Sequence, residues 1–194
     1  MTLDREQAQR AVVELLKAFG CDPEKDPALA QAPKLVVESW ERDWLCGYSI
    51  DIPALFAATA TNELHGSPVV VVSKIATCTL CPHHLLPAEG VATVAYLPGK
   101  QLLGIGTLAR LVDAYSRRFT LQEQIGANVV DALIKHGGAK GAYCRLEMQH
   151  ACLRLRGAKQ PTATVFTTHY AGSFTAAEGR HQLEAAMMNA EPTL

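Results

Sequence analysis

Cys81-Pro82-His83-His84 sets a thiol and an imidazole three residues apart, a spacing at which both side chains reach one ion from a single loop. Thiolate sulfur and imidazole nitrogen are the donors zinc prefers. Cys152, in the strand-like stretch Gln149-His150-Ala151-Cys152, can complete a Cys-His-Cys site that leaves the fourth position for water. Such an open site is the catalytic arrangement, because the pKa of the bound water falls to about 7 and hydroxide becomes available. Cys78 offers a competing arrangement. Cys78-Thr79-Leu80-Cys81 is itself a C-x2-C pair, and a fourth ligand would close the site as structural zinc. His83 and His150 each neighbour a proposed ligand. An imidazole titrates near neutral pH, so a pair beside such a centre can shuttle protons to and from a ring nitrogen of a substrate. The alternative is that both are packed side chains, and His65, His136 and His169, which have no such company, read as structural.

The elements that must position these residues follow from periodicity. Ala8, Val12, Leu15, Leu16 and Phe19 share one face of a helix over residues 4–19, with Gly20 as its C-cap. A second amphipathic helix runs from Pro33, suited to a first turn, to Leu45, and the apolar stretch Pro53 to Thr59 reads as helical. Pro68 to Ile75 and Gly90 to Leu97 are rich in β-branched residues and bounded by turns. These two strands flank Cys78 to Pro87, which places the Cys/His cluster on their connection. Helices follow at Thr107 to Ser116 and at Leu121 to His136, the latter ended by Gly137-Gly138. Two more strands, Ala142 to Met148 and Ala163 to Tyr170, precede a tail helix from Glu178 to Met188. The fold class expected is α+β, with an N-terminal helical segment over 1–60 and a metal-binding catalytic domain over 61–194 forming one functional unit.

The bulk properties agree. With 194 residues, 48% of them apolar and 19% charged, and a formal net charge of −1, the chain has the composition of one globular domain. A near-neutral chain offers no nucleic-acid surface. Met1 to Glu6 lack the features of a signal peptide, and no apolar run approaches the roughly 18–20 residues of a membrane span. A cytoplasmic location is expected, in which the six cysteines serve as thiols or ligands.

Cys81-Pro82-His83-His84-Leu85-Leu86-Pro87, Val94-Ala95-Tyr96-Leu97-Pro98, Leu108-Ala109-Arg110-Leu111-Val112, Thr120-Leu121-Gln122-Glu123 and His150-Ala151-Cys152 with Arg156-Gly157 resemble GTP cyclohydrolase I in order and spacing. The likeness runs from about Ala32 to His181. It implies a tunnelling-type fold, a homo-oligomeric ring (a decamer in the family) and active sites between subunits. Carried over residue by residue, it implies zinc on Cys81, His84 and Cys152, proton transfer by His83 and His150, and a guanine anchor at Gln122 and Glu123. Cys78 then drops out of the metal site. The reaction implied is attack of zinc-bound hydroxide at C8 of a guanine-type ring, with His150 or His83 protonating the nitrogen as the imidazole half opens.

The departures are at the phosphate end. Positions matching the family's cationic triphosphate grip hold Leu35, Glu38, Thr107, Arg110 and Arg156, and Gly106 stands where a serine is usual. Pro82 replaces the glutamate expected between the Cys and the His pair. Each charge-assisted phosphate contact is worth roughly 1.5–3 kcal/mol, so a clamp reduced to two arginines points to a substrate with fewer phosphates or none. Free N–H groups at the helix start near Gly106-Thr107 partly offset the loss, and Arg154 and Lys159 are nearby cations. Two function classes stand beside GTP itself: a cyclohydrolase of a less phosphorylated purine or pterin-like heterocycle, and a non-catalytic pterin- or purine-binding relative. Three ligands and two histidines favour an enzyme.

Overall fold

The computed structural model describes residues 3–57, 59–61 and 68–188. Its helices are α1 (Arg5–Ala18), α2 (Ala32–Ser39), α3 (Ile52–Leu55), α4 (Ile105–Ser116), α5 (Gln122–Lys135), α6 (Ala151–Arg154) and α7 (Ala177–Met188). Its strands are β1 (Thr59–Thr61), β2 (Val70–Leu80), β3 (Pro87–Leu97), β4 (Gln101–Leu103), β5 (Gly141–His150) and β6 (Val165–Gly172). The long strands form an antiparallel sheet ordered β2-β3-β5-β6, and β1 pairs with β4 in a separate two-stranded ribbon. The class is α+β.

Alternation along the strands decides which face each helix covers. Val94 and Cys144 point to the face on which α4 and α5 deliver Leu108, Leu111, Val112, Ile125, Val129 and Leu133, all fully buried. Their neighbours Ala95 and Tyr143 point the other way, onto Phe174 and Leu183 of the C-terminal segment. Burying each large aliphatic side chain contributes roughly 1.5–3 kcal/mol, so the α4/α5 layer is the main source of stability. Two glycines permit the close approaches this layering needs. A Cβ on Gly90 would overlap the carbonyl oxygen of Glu147 on β5, and one on Gly126 would overlap the His169 ring on β6.

Several elements depart from the sequence expectations. Strand β2 continues to Leu80, so Cys78 lies within it and only Cys81 to Leu86 form the connection. β5 ends at His150, and Cys152 sits in the short helix α6 rather than in a strand. The second helix is α-helical only to Ser39 and widens into a π-turn over Trp40–Trp44, while the helix expected over Pro53 to Thr59 is one turn followed by β1. Helix α1 forms as its periodicity requires and buries none of its residues. Its apolar face is open at Leu15 and Phe19, 58% and 78% exposed, and Arg5 tethers it to Glu41 by two 2.7 Å hydrogen bonds. No described helix is long and apolar enough to cross a membrane. His65 lies outside the described residues.

Candidate active site

The β2–β3 connection is closed by its own backbone. Cys81 N–H donates to Leu86 C=O at 2.9 Å, and Leu85 N–H donates to Cys81 C=O at 2.8 Å. Leu85 adopts φ +54°, a left-handed conformation that a branched side chain enters only at a cost of order 1 kcal/mol. The turn is therefore held in a shape its residues would not choose alone, and that shape presents His83 and His84 outward, both exposed, above the buried Cys81.

Cys152 arrives from the other side. The register Ala88↔His150 brings the end of β5 alongside the start of β3, and α6 then turns Cys152 toward the β2–β3 connection. The donor atoms of Cys81, His84 and Cys152 all lie within 4.8 Å of one another, the sole such Cys/His/Asp/Glu group found among the described residues. Cys81 Sγ and His84 Nδ1 are 3.7 Å apart. Usual zinc bond lengths in tetrahedral geometry separate sulfur from nitrogen by about 3.6 Å, so the Cys81–His84 pair has the spacing that ion requires. Electrostatics agree: desolvation first, then the adjacent Cys81 sulfur, raise the Cys152 thiol above its ordinary range, with Arg156 opposing. Two thiolates this close repel, and a divalent cation between them removes the repulsion.

Cys78 is outside this group. Arg117 donates to its sulfur at 3.1 Å and also to Asp113 at 3.0 Å, and desolvation raises the Cys78 thiol despite the guanidinium. What separates Cys78 from the ligand group is position: its sulfur is held by Arg117 and is not among the clustered donor atoms.

The remaining wall is the first turn of α5. A parallel bridge between Leu80 and Phe119, with Thr120 N–H donating to Leu80 C=O at 3.3 Å, fastens the segment before α5 to the end of β2. That bridge brings Gln122 and Glu123 to a pocket of about 260 Å³ that Cys81, His83, His150 and Cys152 also line. Thr79, Thr120, Leu121, Leu153 and Val165 complete the lining, and of these Thr79, Leu153 and Val165 were not singled out in the sequence because their convergence depends on non-local pairing. Glu123 is exposed in the first helical turn, where the positive helix end favours its charge. Desolvation lowers the pKa of His150 and the Glu123 carboxylate opposes that shift. Gln122 is 1% exposed, and its carboxamide is committed to protein groups: Nε2 donates to Leu146 O, Val165 O and Thr167 Oγ1 at 3.0–3.2 Å, and Oε1 faces His150 Nε2 at 2.8 Å. Of the other histidines, His136 packs near Phe56, and His169 buries Nδ1 without a partner beside Gly126.

A family model described as GTP cyclohydrolase I matches residues 8–189. The chain belongs to the GTP cyclohydrolase I family. Among its relatives, the GTP cyclohydrolase 1 of Chromobacterium violaceum is 40% identical over 183 residues, covering 92% of this chain and 86% of that protein. The enzyme of the same name from Ralstonia nicotianae is 39% identical, covering 88% and 80%, and that of Leifsonia xyli subsp. xyli is 33% identical, covering 94% of both chains. The relatives carry the name of a hydrolase acting on a cyclic amidine.

The positions that the sequence resemblance led us to expect at a phosphate end are scattered over α2, α4 and the segment after α6, and none lines the pocket. Leu35 is 57% exposed, and Glu38 lies 3.9 Å from Lys34. Thr107 is buried, its hydroxyl donating to Leu55 C=O at 3.3 Å, so it joins α4 to α3. Gly106 has open space around it, and Arg110 and Arg156 are exposed. Arg154 is engaged by the Pro161 carbonyl at 2.7 Å.

Proposed function

We propose that this protein is a zinc-dependent cyclohydrolase that hydrolytically opens the imidazole ring of a guanine-type purine at C8. The observation that carries the reading is a three-donor zinc-type cluster whose two sulfurs belong to residues lining a pocket that His83, His150 and Glu123 also line. Bound by Cys81, His84 and Cys152, zinc would supply a water of lowered pKa at neutral pH. The exposed carboxylate of Glu123 accepts the ring N–H and exocyclic amine of guanine together, a charge-assisted pair of bonds that fixes which edge of the base enters. His150 and His83 exchange the protons: opening the ring breaks a C8–N bond, and the departing nitrogen must gain a hydrogen. Arg110 and Arg156 are the cations left for a phosphorylated tail.

The same reading includes a tunnelling-type fold closed into a decamer-like homo-oligomeric ring, with residues 1–60 as the helical segment and 61–194 as the catalytic domain. An intersubunit site accounts for the exposure of His83, His84 and Glu123, and for the remoteness of Leu35, Glu38 and Arg110 from the pocket in one chain. Six free cysteines are in keeping with a cytoplasmic location.

The phosphate end favours a second form of the proposal, a substrate with fewer phosphates. Thr107 is occupied structurally and Glu38 is acidic, so binding rests on the heterocycle. The test is to follow loss of purine absorbance with GTP, GMP, guanosine and guanine in parallel. The ladder should show ring opening with a modest preference among phosphorylation states. A preference for GTP over guanosine of about a thousandfold, near 4 kcal/mol, would contradict the weakened grip.

A further inference from the structure

We propose that Gln122 is a positioning residue that holds neutral His150 as its Nε2–H tautomer and leaves Nδ1 as the nitrogen that exchanges protons. The inference rests on the proposed role of His150 in proton transfer. Its support is geometric. Gln122 opens α5 and sends its carboxamide between β5 and β6, beside Val165, where the pair Met148↔Val165 ends the ladder. There Nε2 meets the carbonyl oxygens of Leu146 at 3.2 Å and Val165 at 3.0 Å, with Thr167 Oγ1 at 3.1 Å. Carbonyl oxygens only accept hydrogen bonds. An amide turned the other way would set its own oxygen against both of them, so the orientation is determined by its surroundings.

Once Nε2 is fixed, Oε1 is fixed as well. It lies 2.8 Å from His150 Nε2 and can only accept, so that ring nitrogen carries the hydrogen. The imidazole's lone pair is then on Nδ1, because the hydrogen bond made by one ring nitrogen decides the state of the other. Gln122 is neutral. It selects the tautomer and ring orientation without the charge that an acidic partner would add, and it does so from a position 1% exposed. This assignment differs from the guanine contact that the resemblance implied for its side chain, since both ends of the amide are already engaged.

The test uses full-length, zinc-loaded protein with 15N-labelled histidine, examined by magic-angle-spinning NMR, with the His150 signals identified by their loss in His150→Gln. The expected spectrum of neutral His150 has its protonated nitrogen at Nε2, and Gln122→Met converts it to a mixture of tautomers. In the same variant kcat should fall about 10- to 100-fold while KM stays within about twofold, the pattern of a lost supporting contact. A Nδ1–H tautomer in the unsubstituted protein overturns the proposal, whether or not Gln122→Met folds. A raised KM with unchanged kcat overturns it too, because that result means Gln122 binds the base directly. An unsubstituted protein that opens no purine defeats the functional reading alone, since the tautomer is read from the spectrum.

Discussion

Replacing Cys81, His84 or Cys152 by alanine is expected to remove stoichiometric zinc and activity together, because three donors leave no spare. Cys78→Ser should retain both, since Arg117 and not the cluster holds that sulfur. Metal content of the purified variants checks this, and full zinc retention in Cys152→Ala would sink the site. At this scale the sequence was informative where chemistry depends on short spacing. Cys81 and His84 lie three residues apart on one turn, and that turn can be read from the chain. Gln122 was less legible. Its partners Leu146, Val165 and Thr167 are 24 to 45 residues away, and only the sheet register brings their acceptors to the amide.

The elements around the site are held by close packing between backbones. Gly90 faces Met148 two residues before His150, and a Cβ there would overlap the Glu147 carbonyl on the neighbouring strand. Backbone on a paired strand cannot yield as a flexible side chain can, so Gly90→Ala is expected to cost about 1–3 kcal/mol or more of stability. Denaturant titration beside Gly106→Ala, which meets open space, gives the comparison; equal stability of the two would contradict the strand spacing. The long strands and helices were legible because their apolar periods are sustained. The β1–β4 ribbon was not, since three-residue strands carry too short a pattern. Cys152 was expected in a strand because His150 closes β5 and no residue type announces that α6 begins at Ala151.

For the whole molecule, the proposed ring would bring a second copy against exposed groups such as Leu15 and Phe19 and against the exposed site residues His83, His84 and Glu123. Light scattering at micromolar concentration should give a mass several times 20.9 kDa. A clean monomer that still turns over substrate would contradict an intersubunit site. The broad class followed from composition and periodicity, whereas the ring rests on family resemblance, because neither hydrophobic period nor charge records which faces meet a second copy.

The central claim is that the Cys81/His84/Cys152 cluster and the pocket beside it open a purine ring. Its most direct test is to strip the protein of metal, restore zinc in steps, and follow the loss of GTP absorbance at each step. The rate should rise in proportion to bound zinc and level off at one ion per chain. A fully loaded protein that leaves the purine chromophore intact, or a rate that stripping the metal does not change, would contradict the account.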